Sequence, residues 1–418
     1  MSNMNRIKSL ISQLCPNGVE YKKLGEIGTF TRGSGIQKKD FVEDGKPCIH
    51  YGQIYTQYGM VTTKAISSIS EEHFAKAKKA VPGDIVIAIT SENIEDVCTP
   101  LVWEGNTPVA ISGHSCAFHT QENPRYIAYC ILGERFQQQK NKFVQGTKVI
   151  EMKPAELAKA EIPVPPLDIQ HEIARILDSF VELEAELEAE LEARRMQYTY
   201  YRDQLLSHEI LEKLSGIEIP IKQFGEVGTF TRGSGIQKKD FVEEGKPCIH
   251  YGQIYTRYDL ATNQTISNIS AEQYDKSKKA IPNDVIIAIT SENFEDVCTP
   301  LVWEGDAPVA ISGHSCAFHT SMSSRFVAYF MNSEGFMLQK KKVAKGTKVI
   351  EAKPADIAKA TIPVPPLPVQ QQVVDILDRF DALTTSLTDG LPAEIEARRQ
   401  QYEHYRTRLL DFPRKEMA

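Results

Sequence analysis

The sequence predicts an α+β fold: two similar globular domains of mixed α/β structure, separated by two long antiparallel coiled-coil helices. Three observations carry that prediction. Residues from about Lys22 to Leu167 recur at an offset near 200, as Lys222 to Leu367, with roughly two-thirds identity, which is the length of a domain rather than of a solenoid unit. Both copies close on the same segment, Ile162-Pro-Val-Pro-Pro-Leu167 and Ile362-Pro-Val-Pro-Pro-Leu367. Beyond each closure the apolar period changes to three and four residues, the mark of a helical stripe.

The closing prolines remove backbone donors and force an extended path, so each copy ends in a stiff strand-to-helix exit. The first stripe then runs through Ile169, Ile173, Ile176, Phe180, Leu183, Leu187 and Leu191 to Tyr198, Tyr201 and Leu205. The second runs through Val369, Val373, Ile376, Phe380, Leu383 and Leu387 to Ile395, Tyr402, Tyr405 and Leu409. Some 40 residues at about 1.5 Å each make a rod of ~60 Å. A stripe so narrow needs a partner helix, and the other copy is the only comparable one. Ile173, Phe180, Leu187 and Leu191 are therefore expected to pack against Val373, Phe380, Leu387 and Ile395. In the second rod Thr388-Asp-Gly-Leu-Pro392 interrupts, with Thr388 or Asp389 as a candidate cap and Pro392 in a new first turn. The expected boundaries are an N-terminal segment 1–20, a first domain 21–165, a central long helix 166–210, a linker 211–220, a second domain 221–365, a C-terminal long helix 366–410 and a tail 411–418.

Within each copy, Ile85-Val-Ile-Ala-Ile89 reads as a buried strand, Ser70–Ala80 as a helix capped by Ser70, and Arg125–Lys142 as a second amphipathic helix. Scattered glycines mark the turns of a sheet-rich domain with long loops.

The length allows two or three domains with proper cores. No apolar run approaches the ~20 residues of a membrane span, and Met1–Leu10 lacks an apolar signal core, so a cytoplasmic protein is expected. The eight cysteines include no CxxC pair and read as reduced thiols. A net charge of −7 argues at first against nucleic acid. The acid is concentrated in the first connector, Asp168–Pro220, at about −8, whereas each copy is near +1 and remains eligible for a polyanion. Two like domains suit a target that presents one feature twice, and duplex DNA, with its two-fold axes, is the commonest.

The richest candidate surface is Thr31-Arg-Gly-Ser-Gly-Ile-Gln-Lys-Lys-Asp40, repeated intact as Thr231–Asp240. Gly33 and Gly35 permit close backbone approach, Arg32, Lys38 and Lys39 suit phosphates, and Ser34 and Gln37 suit base edges. No GK[ST] follows, so it is not a P-loop. His50-Tyr-Gly-Gln-Ile-Tyr-Thr56 reads as a strand edge with Tyr51, Gln53 and Tyr55 on one face. Gln53 suits adenine, and Thr90-Ser-Glu-Asn93 follows the buried strand, where Asn93 either reads adenine or caps a turn and Glu92 either accepts from cytosine or does the same. With His114 and Lys148, the candidate DNA contacts of the first copy are Thr31, Arg32, Ser34, Gln37, Lys38, Lys39, Tyr51, Gln53, Tyr55, Gln57, Ser91, Asn93, His114 and Lys148. Those of the second are Thr231, Arg232, Ser234, Gln237, Lys238, Lys239, Tyr251, Gln253, Tyr255, Arg257, Ser291, Asn293, His314 and Lys348.

Cys48, His50, Cys98, His114, Cys116 and His119 allow zinc chemistry in principle, but their spacing fits no finger or ribbon, and buried thiols and core histidines explain them more simply. Glu95-Asp96, Asp84 and Glu104 form no nuclease-like set, and neither a cofactor loop nor a serine elbow is present. No catalytic residue and no metal ligand is assigned.

Together these features resemble the specificity subunits of type I restriction-modification systems. The resemblance rests on Gly146-Thr-Lys-Val-Ile150, Ile162–Leu167, Gln170 and Ile176-Leu177, matched at Gly346–Leu377, and on helix ends Ala193-Arg-Arg…Tyr198…Tyr201-Arg…Leu206 and Ala397-Arg-Arg…Tyr402…Tyr405-Arg…Leu410. It implies a non-catalytic, sequence-specific DNA-binding subunit whose two target-recognition domains each read half of a bipartite site. It further implies that the helices dock DNA methyltransferase subunits and that motor-nuclease subunits join them. S-adenosylmethionine, ATP and Mg²⁺ then belong to the partners, and this subunit carries no cofactor. The near-copy repeats add the expectation of a near-palindromic site, with Gln57, Gly59 and Met60 against Arg257, Asp259 and Leu260 as its weak point. One more Glu-Ala-Glu-Leu unit after Leu187 would add ~6 Å and ~40° of rotation to the rod, and since one base pair turns the duplex by ~34–36° the unread spacer is expected to lengthen by about one pair. The rival readings are a scaffold joining two protein-binding domains through a coiled-coil spacer, and an enzyme acting alone through carboxylates such as Glu95 and Asp96.

Overall fold

The computed structural model describes residues 3–146, 148–385 and 390–415. The chain divides into two units, one of residues 1–186 and 396–418, the other of residues 187–395.

In the first unit the hub is the strand Ile85–Ala88, buried at every position because both its faces are covered. It lies at the centre of a five-stranded sheet ordered Gly28–Arg32, Ser115–Thr120, Ile85–Ala88, Pro100–Trp103 and Val61–Thr62, antiparallel except for the last pair. Alternation sends Ile85 and Ile87 to a core shared with the helix Pro124–Leu132, and Val86 and Ala88 to a core shared with Ile49, Val109 and Ile111. Those last three residues belong to a second five-stranded sheet, ordered Phe41–Val42, Ser67–Ile69, Lys46–Ile49, Val109–Ile111 and Lys79–Ala80. The second unit repeats this plan, with Val285–Ala288 as its buried hub.

Each domain is closed where it opens: Tyr21–Lys23 pairs antiparallel with Glu161–Pro163, and Ile221–Gln223 with Thr361–Pro363. Pro154–Leu157 and the closing prolines then deliver the chain into the helix Leu167–Leu205. Gln170, fully buried, fixes that exit: its Oε1 accepts the Asn123 N–H at 2.9 Å and its Nε2 donates to the Pro165 carbonyl at 2.8 Å. Gln370 does the same with Ser323 and Pro365.

Two turns further on, Asp178 ties the helix to its domain. It accepts from Tyr129 Oη at 2.7 Å and from Arg125 at 2.8 Å, while Arg125 grips Glu104 with two bonds of 2.7 Å. Arg325, Tyr329, Glu304 and Asp378 repeat this clamp in the second unit. Burial and the adjacent carboxylate push the Tyr129 hydroxyl well above its usual range. Asp178→Ala leaves that hydroxyl without an acceptor and is expected to cost about 2 kcal/mol, or roughly 4–8 °C in melting temperature. A calorimetric scan of the full chain checks it, and a shift under 1 °C would contradict the clamp.

The helical stretches depart from the expected boundaries. Leu167–Leu205 is one helix of 39 residues, and a separate one, His208–Ser215, follows it behind the Ser207 cap. Residues 366–410 contain two helices, Leu367–Thr385 and Leu391–Leu410, with Pro392 in the first turn of the second, as the interruption in the sequence leads one to expect. The candidate caps Thr388 and Asp389, and the packing residue Leu387, lie outside the described residues. In the first unit Phe180 meets Tyr405 and Tyr402 at ring distances of 5.3 and 6.5 Å, and Glu184 pairs with Arg399, an antiparallel register. In the second unit Phe380 stacks on Tyr201 at 5.8 Å. Ile173 and Val373 are fully buried in the cores of their own units, and Leu187, Leu191 and Ile395 are buried as well.

Two local expectations fail. Arg125–Lys142 is not one helix: Gly133 takes an extended conformation and starts a new helix at Glu134, as Ser333 does at Glu334 with a capping hydroxyl. Ser70–Ala80 is helical only over Glu71–Lys76, after which Lys79–Ala80 joins the second sheet.

Candidate nucleic-acid interface

In each unit, four separate segments converge on one polar patch. The loop after Gly28–Arg32 reaches it because the strand runs tight against its neighbour. A Cβ at Gly33 would lie 2.1 Å from the Ser112 carbonyl, so glycine serves a backbone contact within the protein rather than one to a ligand. Gly35 has open space around it. Buried Ile36 anchors the loop, and Asp40 accepts the Gln37 N–H, closing a 3-10 turn at Lys38–Asp40 that leaves Gln37, Lys38 and Lys39 exposed.

The segment His50–Thr56 is not a strand edge. Tyr51–Ile54 is a single helical turn, because His50 Nδ1 accepts the Gly52 N–H at 3.3 Å and Gln53 Oε1 returns to the His50 N–H at 3.2 Å. Its aromatic rings line the patch. Tyr51 lies 4.9 Å from His114 and 6.2 Å from Tyr55, and Tyr55 donates to the Thr90 carbonyl at 3.0 Å. His114 Nδ1 lies 3.1 Å from Thr90 Oγ1. Arg32 links the remaining pieces, donating to the Gly113 carbonyl at 3.1 Å and to Glu151 at 2.8 Å. Glu151 pairs across to Thr90 and closes a hairpin with Gln145, whose tip carries exposed Lys148. Gly146, at φ +103°, makes that tip possible.

The structure thus brings Arg32, Tyr51, Tyr55 and His114 together, with Gln37, Lys38, Lys39 and Lys148 exposed on the adjoining loops. Thr31 is exposed on its strand. Four expected base readers are occupied internally. Ser34 Oγ accepts the Lys78 N–H, Ser91 is buried and takes the Asn93 N–H, and Gln53 is buried with its Nε2 on Ser67 Oγ at 2.7 Å. Asn93 caps a turn, exchanging bonds of 2.8 and 2.9 Å with Asp96. Gln57 is exposed, its Oε1 taking the Gln53 amide at 3.2 Å. The second unit repeats the pattern: Arg232 holds Gly313 and Glu351, Tyr251 meets His314 at 4.9 Å, Gln237, Lys238, Lys239, Arg257, Thr231 and Lys348 are exposed, and Tyr255 is half-buried. Ser234, Gln253, Ser291 and Asn293 keep the same internal bonds.

Sequence reasoning passed over Glu151, Thr90 and Lys140. Glu151 follows the shared Gly146–Ile150 run and recurs as Glu351, which is a usable signal. Lys140 gave none. It is 2% exposed, and its ammonium donates to the carbonyls of Ile94, Glu95 and Val97 at 2.6, 3.2 and 3.2 Å, gripping the loop that carries Asn93. Burial pulls its pKa below the ordinary lysine range. The thiols of Cys48, Cys98 and Cys116 are buried, with Cys48 pushed up to about 11 by burial. His119 pairs with buried Asp84 at 2.8 Å. Among the described residues, no group of three potential metal ligands converges.

Burial first, then Lys38 and His114, holds His50 below its ordinary pKa of 6.5; His250 is shifted the same way. The unfolded chain therefore takes up the proton first as pH falls. The caps contribute fully above pH ~6.5 and are lost as pH drops through the lower folded value. Urea melts between pH 8 and 5 are expected to show stability falling on the acid side. The double variant His50→Asn/His250→Asn, which keeps a cap acceptor without titrating there, is expected to flatten that fall; an identical pH slope in both proteins would rule the caps out.

A mixed α/β domain pair, a long connecting helix and a basic-aromatic patch on each domain define the class of a modular recognition protein. The sequence profile described as the Type I restriction modification DNA specificity domain matches residues 16–193 and 217–397, and the chain belongs to that family. The EcoR124I/EcoR124II specificity subunit of Escherichia coli is 32% identical over 268 residues, which span 62% of this chain and 65% of that subunit. A Haemophilus influenzae protein named as a type I restriction enzyme specificity subunit, S.HindORF215P, is 28% identical over 288 residues, 65% of this chain and 68% of its own length. Among solved structures, the fold is similar to the S subunit of a type I system from M. genitalium, at TM-score 0.54 and 13% identity over 96% of this chain and 97% of that one. It is also similar to a chain from a study of complex assembly and conformational transition in the type I R-M system, at TM-score 0.64 and 16% identity over 94% of this chain and 98% of that one. No helix among the described residues is long and apolar enough to cross a membrane.

Proposed function

We propose that the chain is the non-catalytic specificity subunit of a type I restriction-modification complex, and that each domain reads one half of a bipartite DNA site. The observation that carries this reading is the duplicated patch: arginine, lysines, tyrosines and a histidine gathered on each domain from four separate segments, within a family defined by DNA specificity. Lysines on exposed loop tips suit phosphates, and aromatic rings beside them suit sugars or bases. The helices serve as the docking surface for DNA methyltransferase subunits, with motor-nuclease subunits joining that core in the cytoplasm. S-adenosylmethionine, ATP and Mg²⁺ are held by those partners, and the methyl group goes to an adenine flipped from each half-site. Because the patches are near copies, the two half-sites form a near-palindrome. Mapping N6-methyladenine in the native host, with and without this gene, tests the reading. A bipartite word with related halves that disappears with the gene is the expected result. Methylation indifferent to the gene would end the proposal, and two unrelated halves would end the palindrome.

A further inference from the structure

The two domains differ strongly in the segment that follows the Tyr51–Ile54 turn, and the main backbone bonds that hold this segment are shared. Tyr58 Oη accepts the Ile66 N–H at 2.7 Å and Tyr258 Oη that of Ile266 at 2.8 Å. The Val102 N–H donates to Met60 O at 2.8 Å and that of Val302 to Leu260 O at 2.9 Å. Gln57 and Arg257 each donate their backbone N–H to residue 53 or 253 at 2.9 Å. On this common backbone the exposed side chains change from Gln57, Gly59, Thr63 and Lys64 to Arg257, Asp259, Asn263 and Gln264, and the first two positions are the ones that directly follow the aromatic turn of the patch. Gln57 Oε1 accepts the Gln53 amide at 3.2 Å. The Arg257 guanidinium has no hydrogen-bond or ion-pair partner among the described residues, and Gln253 keeps only Ser267 and the His250 N–H. A Cβ at Gly59 meets nothing within 4 Å, so the first domain has room for the side chain the second one carries.

Base-edge chemistry separates these pairs. Glutamine matches the N6 and N7 of adenine, arginine the O6 and N7 of guanine, and aspartate accepts from the N4 of cytosine. An arginine and an aspartate two residues apart can therefore address both bases of one G·C pair. The exchange of Gln145 for Lys345 adds a charge suited to phosphate, which carries no sequence information.

We infer that residues 57 and 59, with 257 and 259, are where the two half-sites are told apart: the first domain takes an A·T pair at the position where the second takes a G·C pair, the half-sites being otherwise alike. This rests on the DNA-reading function proposed above. The test is to exchange the residues in the full-length chain in its native host and map N6-methyladenine. The parental word is expected to hold two related halves that differ at one pair, A·T in one and G·C in the other. Gln57→Arg with Gly59→Asp should convert the first half to the second, and Arg257→Gln with Asp259→Gly the reverse, each yielding a perfect inverted repeat. Competition binding of the purified full chain to duplexes differing at that pair should show a preference reversed by about ten-fold or more. Each exchange installs residues the sibling domain already tolerates on the same backbone, so misfolding is not the expected outcome, and a melting curve within 2 °C of the parent verifies it. A folded variant with an unchanged word, or one changed at some other pair, overturns the inference while leaving the proposed function standing. A parental gene on which no methylation depends overturns the function itself.

Discussion

Lys140→Met is expected to destabilise the first unit by about 3 kcal/mol and to loosen the loop of residues 92–98. The methionine fills nearly the same volume, so the loss isolates the ammonium rather than the packing. Three carbonyls then lose their donor, and that of buried Val97 costs more unpaired than its bond contributed when formed. The loop ends at Cys98, which sits at φ +72°, a conformation non-glycine residues hold only when their surroundings impose it. Cys298 repeats it at φ +65° near Lys340, itself buried and bonded to the Glu295 carbonyl at 2.8 Å. Hydrogen exchange should therefore show faster exchange at 92–98 in the variant while 292–298 stays protected. Uniform exchange across both loops would mean that the lysine does not set this geometry.

Neutralising Lys38, Lys39, Lys238 and Lys239 together is expected to remove most of the salt dependence of DNA binding. All four are exposed on 3-10 turns whose shape is set by Asp40 and Asp240 through backbone bonds, so alanine leaves the loops intact. Each lysine that neutralises a phosphate contributes about 0.9 to the slope of log affinity against log salt. The fourfold variant should lose about 3 to 4 from that slope, and roughly 10²- to 10³-fold in affinity at physiological salt, without changing the preferred sequence. Binding measured from 50 to 300 mM salt checks it. An unchanged slope would move the phosphate contacts elsewhere, to Lys148 and Lys348 first.

How far the sequence carried depended on the range of the interactions involved. The hub strand was legible because Ile85-Val-Ile-Ala-Ile89 is apolar and largely β-branched, and the closing prolines announced the helix start. The turn at Tyr51–Ile54 was not, since two side chains bonding back to their own backbone override the alternation that reads as a strand. Ser34, Gln53 and Ser91 suit a ligand on sequence grounds because a polar side chain does not declare which way it points, and for Asn93 the cap is one of the two readings the sequence leaves open. Each satisfies backbone or a neighbour inside the fold instead. Lys140 is the same problem at its sharpest: a lysine in a helix reads as solvent-facing, and only the tertiary fold supplies three carbonyls to receive it. Arg32 and the exposed lysines were legible as charges, but their arrangement around Tyr51 and His114 required the sheet register.

The pairing of Tyr21–Lys23 with Glu161–Pro163 leaves the two ends of the recognition domain side by side, with Tyr21 opposite Pro163. To the rest of the polypeptide such a domain is a cassette whose chain enters and leaves at one two-stranded joint. Recombination between alleles that share the flanking codons can replace the whole insert in frame, and the new insert keeps its grip on the helix only where it supplies partners for Gln170 and Asp178.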